Sequence, residues 1–306
     1  MAILEAIRSG LKKVNNNLHF IGLLWILNIA FAMILSMTLF RLLNTDLSGS
    51  LVGDSLLQGF DYRWYQEFFF KYQTALEMFT NTLIIVGSIY ILIQTFLLGG
   101  LLSVLHSSER KTLFIDFFYG GVRYFFRFFK ILLLSMLFYL GLFFVNRWGT
   151  TATENLLGAS ESEILRISVI VVRYILLALI FFFLNIIFDY AKISIVVREE
   201  RKVMKEWWGA VKFTVSNAGT TIGLFVLLFI FGVGIFGIYY FLEDIFQPVS
   251  SYGMIFLVFV LHQIYISARI WLRMLFYASQ LALWKEVHAE VIFPSVEENT
   301  VHAQGG

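Results

Sequence analysis

Residues 167–191 read ISVIVVRYILLALIFFFLNIIFDYA, a run in which only Arg173 and Asp189 are charged. About 20 apolar residues in a helix are enough to cross roughly 30 Å of hydrocarbon, so this run predicts a transmembrane helix. Five further runs meet the same criterion, at residues 19–43, 80–105, 130–146, 220–242 and 253–283. The sequence therefore predicts an all-α polytopic membrane protein with six transmembrane helices.

The composition of the whole chain supports this prediction and excludes several classes of protein. Of 306 residues, 59% are hydrophobic and only 14% are charged, whereas soluble domains average about 25% charged residues. A soluble globular enzyme and a disordered chain are both excluded. The chain has no cysteine, its five histidines are dispersed, and it contains no catalytic or phosphate-binding motif. We therefore expect no enzyme activity, no metal, no cofactor and, at a net charge of +2, no nucleic acid partner.

Basic residues alternate between the segments that connect the runs. Three alternate segments contain fourteen Lys and Arg residues and the other three contain four. The basic set is 1–18, 106–130 and 192–217, and the other set is 44–79, 146–166 and 243–251. Because cytoplasmic loops carry an excess of Lys and Arg, we expect both termini in the cytoplasm and Ser160 outside, in a bacterial inner (plasma) membrane. Residues 286–306 are predicted to form an acidic, flexible cytoplasmic tail.

Two stretches of the chain resemble each other. Residues 96–111, FLLGGLLSVLHSSERK, align with residues 187–202, IFDYAKISIVVREERK, and both end in Glu-Arg-Lys. With weaker matches elsewhere, this predicts an internal repeat with units near 2–105, 112–198 and 203–285, each an amphipathic helix followed by two spans. The alternative is that apolar helices look alike through composition alone.

The amphipathic segments carry basic residues opposite aromatic ones. In the second and third units these basic residues are Arg123, Arg127, Lys130, Lys202, Lys205 and Lys212. Such helices are typical of a membrane interface beside anionic lipid, so we interpret the six residues as a lipid-binding surface. The alternative is that the segments only link the spans. The aromatic stretch from Phe60 to Phe79 is predicted to be a helix in the outer interface, or a docking surface for another protein.

Few ionisable residues lie within the predicted spans, and two arginines one turn apart are the best functional candidates. Arg269 and Arg273 lie on the sixth span, and a guanidinium inside a membrane normally faces protein or water. Asp189 is a candidate counter-charge that is also spaced to pair with Lys192. The alternative is a structural ion pair, or side chains that reach the inner surface. Neutral polar candidates for interhelical hydrogen bonds are Asn185 and Gln94, at equivalent repeat positions, and His262.

A loose family resemblance accompanies these features. The stretch DYAKISIVVREERK, residues 189–202, together with the six-span arrangement, resembles poorly characterised bacterial six-helix membrane proteins, including the membrane domain attached to some glycerophosphodiester phosphodiesterases. The resemblance implies the fold and no catalytic residue. We expect a non-enzymatic protein that organises lipid or serves as an accessory subunit of a membrane complex. The alternative is a transporter or channel with a cavity near Arg269 and Arg273.

Overall fold

The structure is a computed structural model that describes residues 2–48, 50, 52–56, 61–107, 113–157, 163–246 and 251–292. Within these residues the chain forms ten α-helices and no strand. The helices are α1 (Ala2–Asn15), α2 (His19–Leu47), α3 (Val52–Leu56), α4 (Tyr62–Lys71), α5 (Gln73–His106), α6 (Phe114–Leu157), α7 (Glu163–Arg198), α8 (Val203–Ser216), α9 (Ala218–Ile245) and α10 (Tyr252–Ile292). The predicted all-α fold is confirmed.

Six of the described helices are long and apolar enough to cross a membrane: α2, α5, α6, α7, α9 and α10. Each contains one of the predicted runs, so the chain is an integral, multi-pass membrane protein. The helices extend beyond those runs. Because α10 ends at Ile292, residues 286–292 of the predicted flexible tail are helical, while residues 293–306 lie outside the described part of the chain. Ser160 and the Glu-Arg-Lys of residues 109–111 also lie outside it.

The three amphipathic segments join their spans in two different ways. A turn at residues 16–18 separates α1 from α2, and a break at Asn217 separates α8 from α9. By contrast, α6 runs unbroken from Phe114 to Leu157, so the prediction of a separate helix before the span at 130–146 is wrong. Asparagine competes for backbone hydrogen bonds and disfavours helix interiors. Asparagines lie at both breaks and are absent from residues 124–131.

The segment between α2 and α5 is held by the carboxylates of Asp61 and Asp46. The Asp61 side chain caps α4 by accepting hydrogen bonds from two backbone amides of its first turn. Asp46 of α2 accepts a hydrogen bond from the indole of Trp64 at 3.1 Å and forms an ion pair with Lys71 at 2.7 Å. That carboxylate raises the pKa of Lys71. The aromatic stretch is helical, as predicted, but it is divided at Tyr72 into α4 and the start of α5. Its place in the outer interface stays a prediction, and Phe60 lies outside the described residues.

The chain divides into two compact units. Unit 1 comprises residues 1–14, 95–227 and 275–306, and unit 2 comprises residues 15–94 and 228–274. Three long helices, α5, α9 and α10, therefore contribute residues to both units. Each unit has its own packing and its own polar contacts.

Unit 1 is packed through close contacts between small residues. A Cβ added to Gly10 of α1 would lie 2.9 Å from the backbone nitrogen of Ser279 on α10. A Cβ on Gly120 of α6 would lie 2.7 Å from the hydroxyl oxygen of Ser103 on α5. Helices in membranes commonly associate through small residues that let the backbones approach. The glycines therefore set the spacing of α1 against α10 and of α5 against α6.

Two lysines in unit 1 cap the end of α5. Lys13 Nζ donates to the carbonyl of Leu105 at 2.6 Å, and Lys285 Nζ donates to the carbonyl of His106 at 3.2 Å. The last carbonyls of a helix lack backbone partners and carry partial negative charge, so cations stabilise this end. Burial, with the nearby charge of Lys285, lowers the pKa of Lys13 to about 8.

A hydrogen bond of a tyrosine hydroxyl joins the two spans of each predicted repeat. These bonds link Tyr90 to Asn28 at 2.8 Å, Tyr139 to Asn185 at 3.1 Å, and Tyr239 to His262 at 2.9 Å. They connect α5 with α2, α6 with α7, and α9 with α10. Each bond lies within one unit, and each leaves a polar group satisfied inside an apolar helix pair. The three-unit repeat itself stays a prediction.

Candidate functional site

Unit 2 contains a cavity between α2, α5 and α10 that includes both arginines predicted from the sequence. Its volume is about 530 Å³, within the range of about 300–1,000 Å³ typical of ligand sites. Most of its wall is apolar. The lining residues are Asn28, Phe31, Ala32, Leu35, Val86, Gly87, Tyr90, Ile266, Arg269, Ile270 and Arg273. Both arginines therefore line one cavity, and its use for transport stays a prediction.

The two guanidinium groups have neutral neighbours. Arg273 Nη1 donates to the amide oxygen of Gln94 at 3.2 Å, and the guanidinium of Arg269 lies 5.8 Å from the centre of the Tyr265 ring. Both arginine side chains are exposed. Among the described residues of unit 2, neither arginine forms an ion pair with a carboxylate. The cavity therefore carries two positive charges, and none of the described carboxylates of this unit pairs with them.

A short chain of hydrogen bonds holds the polar side of the cavity in place. Asn28 Oδ1 accepts from the hydroxyl of Tyr90 at 2.8 Å and from the amide nitrogen of Gln94 at 3.3 Å. Gln94 in turn accepts from Arg273 at 3.2 Å, so it connects α2 with α10. This arrangement orients the Arg273 guanidinium without neutralising its charge, because its partner Gln94 is a neutral amide.

This geometry suits an anion attached to an apolar body. A guanidinium presents up to five N–H donors, and its planar fork matches phosphate and carboxylate oxygens. Arg273 uses one donor on Gln94, which leaves others for a ligand. The apolar walls offer hydrocarbon contact but little else. The cavity can therefore hold an anionic amphiphile, and we find in it no nucleophile with an adjacent base.

Asp189 and Lys192 lie in unit 1 and satisfy each other. Lys192 Nζ donates to Asp189 Oδ1 at 3.0 Å, which confirms the pair predicted from their spacing. The hydroxyl of Tyr277 also donates to Asp189, at 3.5 Å. The predicted role of Asp189 as counter-charge to the two arginines, which belong to unit 2, stays a prediction.

The neutral candidates are bonded within their own helix pairs. Asn185 accepts from Tyr139 and donates to the carbonyl of Phe181 at 2.7 Å. His262 Nδ1 lies 2.8 Å from the carbonyl of Val258. Because that carbonyl can only accept, Nδ1 donates to it, while Nε2 lies 2.9 Å from the hydroxyl of Tyr239. These contacts fit interhelical hydrogen bonds, and only Gln94 of the three is bonded to a cavity arginine.

Half of the predicted lipid surface is paired within the protein. Arg123 forms an ion pair with Glu199 at 2.7 Å, and Arg127 donates to the carbonyl of Glu199 at 3.2 Å. Glu199 directly follows α7 and has a φ of 54°, and both its carboxylate and its carbonyl accept hydrogen bonds from arginines of α6. Lys205 pairs with Glu200 at 3.0 Å, and this pair lowers the pKa of Glu200.

The remaining basic residues lie on the surface. Lys130, Lys202 and Lys212 are exposed. On α8, the lysines are accompanied by the exposed apolar side chains of Met204, Trp208 and Val215. Exposed basic and apolar residues on one short helix are typical of a helix in a membrane interface.

Two contributors to the site were not selected from the sequence. Asn28 is one of several amides within the spans, and Tyr90 is one of many aromatic residues. The four-residue spacing of Tyr90 and Gln94, which puts both on one helix face, is the signal that could have linked Tyr90 to the candidate Gln94, and no such signal marks Asn28. Glu206 was also missed. It is buried in unit 1, accepts a hydrogen bond from Ser194, and lies 4.0 Å from Arg198.

Comparisons with known proteins return no match. No family model, curated protein or solved structure matches this chain. The resemblance to the membrane domain of glycerophosphodiester phosphodiesterases therefore stays an expectation, carried only by residues 189–202 and the six-span arrangement. The site must be interpreted from its own chemistry.

Proposed function

We propose that this protein is a non-enzymatic integral membrane protein that binds an anionic lipid and organises it within the bilayer. Arg269 and Arg273 hold the headgroup in this proposal. The single observation that carries it is the cavity of about 530 Å³ in which two guanidinium groups adjoin apolar walls. A lipid headgroup with a phosphate or carboxylate can pair with the two guanidinium groups, and the acyl chains of the same lipid can pack against the apolar walls.

The energetics of arginine in a membrane support the proposal. An arginine at the centre of a transmembrane helix costs about 2.5–3.5 kcal/mol on insertion scales. A hydrogen bond to a charged group contributes about 1.5–3 kcal/mol, so an anion bridging both guanidinium groups offsets much of that cost. Arg269 and Arg273 have no ion pair among the described residues of unit 2, which leaves this role to a ligand.

The continuity of the helices favours lipid holding over transport. The alternative function, a transporter or channel, uses the same cavity. Substrate sites in many transporters are formed by helices that are interrupted near the membrane midplane. Helices α2, α5 and α10 are each continuous through the residues that line the cavity.

The distribution of basic residues supports the rest of the proposal. We place both termini in the cytoplasm of a bacterial inner membrane, because the Lys-rich segments alternate with the Lys-poor ones. The exposed Lys202 and Lys212 beside Trp208 then suit a second, weaker contact with anionic lipid at that surface. A protein partner in a membrane complex is compatible with this role.

Lipid retention by the purified protein tests the proposal. The protein is reconstituted in nanodiscs containing phosphatidylglycerol and phosphatidylcholine, and bound lipid is measured by native mass spectrometry after release. We expect phosphatidylglycerol to be retained preferentially. Because one charge-assisted hydrogen bond contributes about 1.5–3 kcal/mol, Arg269→Leu or Arg273→Leu should each weaken retention by about 10- to 150-fold. Arg41→Leu is the matched control, since Arg41 is exposed on α2 and does not line the cavity.

Two outcomes would contradict the proposal. Equal retention of phosphatidylglycerol by wild type and by both cavity variants would show that the arginines do not hold it. Movement of an anionic solute or lipid across proteoliposomes, abolished by Arg269→Leu and not by Arg41→Leu, would favour the transporter instead.

A further inference from the structure

Unit 1 contains a second cavity, between α6 and α7, whose chemistry differs from that of the arginine cavity. Its volume is about 450 Å³. Five of its lining residues are aromatic: Tyr139, Phe143, Tyr174, Phe181 and Phe182. No charged side chain lines it. Aromatic faces pack favourably against flat rings, so the walls suit a rigid ring system better than they suit a charged headgroup.

One polar atom in this cavity lacks a partner. Asn146 Oδ1 is buried and accepts no hydrogen bond from any described residue. Tyr139 is different, because its hydroxyl already donates to Asn185 at 3.1 Å. A buried amide oxygen without a hydrogen bond costs about 1–3 kcal/mol. An acyl chain filling the cavity would leave that cost in place, whereas a ligand hydroxyl would remove it.

The positions of these residues along α6 define how such a ligand would lie. Asn146 and Tyr139 are seven residues apart, which corresponds to about 10 Å along a helix. Asn146 lies nearer than Tyr139 to the end of α6 at Leu157. The rings of Tyr139 and Phe181, whose centres are 5.4 Å apart, lie farther from that end. A ligand with a polar group at one end and rings at the other fits this order.

We propose that the α6–α7 cavity binds a neutral membrane lipid with a flat, fused ring system and a single hydroxyl group, the chemistry that sterols share with the hydroxylated hopanoids of bacterial membranes. The hydroxyl donates to Asn146 Oδ1, and the rings pack against Tyr139, Phe143 and Phe181. The site is separate from the arginine cavity and requires no charge on the ligand. It therefore goes beyond the proposed binding of anionic lipid and does not depend on it.

Photolabelling tests this assignment with the full-length protein in nanodiscs. The probe is a cholesterol analogue with a free 3-hydroxyl and a photoreactive diazirine, and labelled peptides are mapped by mass spectrometry. We expect labelling on α6 and α7 near Asn146 and Phe181. Since one neutral hydrogen bond contributes about 1 kcal/mol, unlabelled cholesterol should compete about fivefold better than its 3-methyl ether.

A matched pair of variants on α6 tests the role of the amide. Asn146→Leu should reduce labelling about fivefold, whereas Asn155→Leu should not, because Asn155 is exposed on the same helix and outside the cavity. Equal competition by cholesterol and its methyl ether would overturn the proposal without any variant, even if Asn146→Leu failed to fold. Labelling confined to helices other than α6 and α7 would overturn it as well.

Discussion

The contact between α5 and α6 at Gly100 gives a sharp test of the packing in unit 1. A Cβ added to Gly100 would come into hard contact with the backbone carbonyl oxygen of Phe117 and would lie 3.1 Å from that residue's ring. A backbone carbonyl cannot move aside as a flexible side chain can. The substitution Gly100→Ala must therefore push the two helices apart.

The magnitude follows from comparison with a glycine that has free space. Nothing lies within 4 Å of a Cβ placed on Gly141 of α6, so Gly141→Ala is the matched control. Both substitutions gain about 0.5–1 kcal/mol from the lower backbone entropy of alanine in a helix, and this gain cancels between them. The difference that remains is the overpacking cost at Gly100, which is about 1–3 kcal/mol.

Thermal unfolding in detergent measures this difference. A destabilisation of 1 kcal/mol lowers Tm by about 2–4 °C for chains of 150–250 residues, so a cost of about 1–3 kcal/mol should make Gly100→Ala unfold about 2–12 °C below Gly141→Ala. Unfolding is followed by the loss of monodisperse protein on size exclusion after heating, at one fixed heating rate because membrane proteins unfold irreversibly. If Gly100→Ala were as stable as Gly141→Ala, α5 and α6 would not meet at this glycine.

Three further predictions concern charge and topology. Glu206→Ala should destabilise the protein by about 1–3 kcal/mol, because it leaves the Ser194 hydroxyl without its buried acceptor. The control is Glu5→Ala, at an exposed residue of α1, which should change stability by less than about 0.5 kcal/mol. Thermal unfolding of both variants measures the difference. The pKa of Lys13 is about 8 in the folded protein, below its ordinary value of about 10.5. Between these pH values the unfolded chain binds more protons than the folded one, so the stability of the wild type should rise with pH, and that of Lys13→Met should rise less. Single cysteines replacing Ser107 and Ser216 should both react with an impermeant maleimide from the cytoplasmic side only, and reaction from opposite sides would contradict the six-span topology.

The spans could be predicted from the sequence because their cause is local. About 20 apolar residues suffice to cross a bilayer whatever surrounds them, and each predicted run lies inside one long helix. The exact helix ends were harder to predict from the sequence. The failure at α6 shows why: residues 114–130 have an amphipathic pattern, but the pattern does not indicate whether the helix stops at its end. That depends on breaking residues such as Asn217, which the second segment lacks.

Only part of the candidate site could be predicted from the sequence. Arg269 and Arg273 stood out because charge is rare within spans. Their neighbours Asn28 and Tyr90 come from helices more than 170 residues earlier in the chain, and only the packing of α2 and α5 in unit 2 brings them to the same cavity. Likewise, the pairing of Arg123 with Glu199 depends on the end of α7, where a positive φ turns the chain.

The three helix pairs share an interhelical tyrosine hydrogen bond but differ in the polar residues near it. In each pair a tyrosine hydroxyl bonds to an amide or an imidazole across the two spans, which is the relationship that a repeated unit would preserve. What differs is the polar residue beside that bond. In unit 2, Tyr90 and Asn28 adjoin Gln94 and the cationic Arg273. In unit 1, Tyr139 shares its cavity with the neutral Asn146. The predicted repeat implies that the shared tyrosine bond fixes where a cavity forms and that one or two polar residues set its ligand, which we propose is anionic in the first case and neutral in the second.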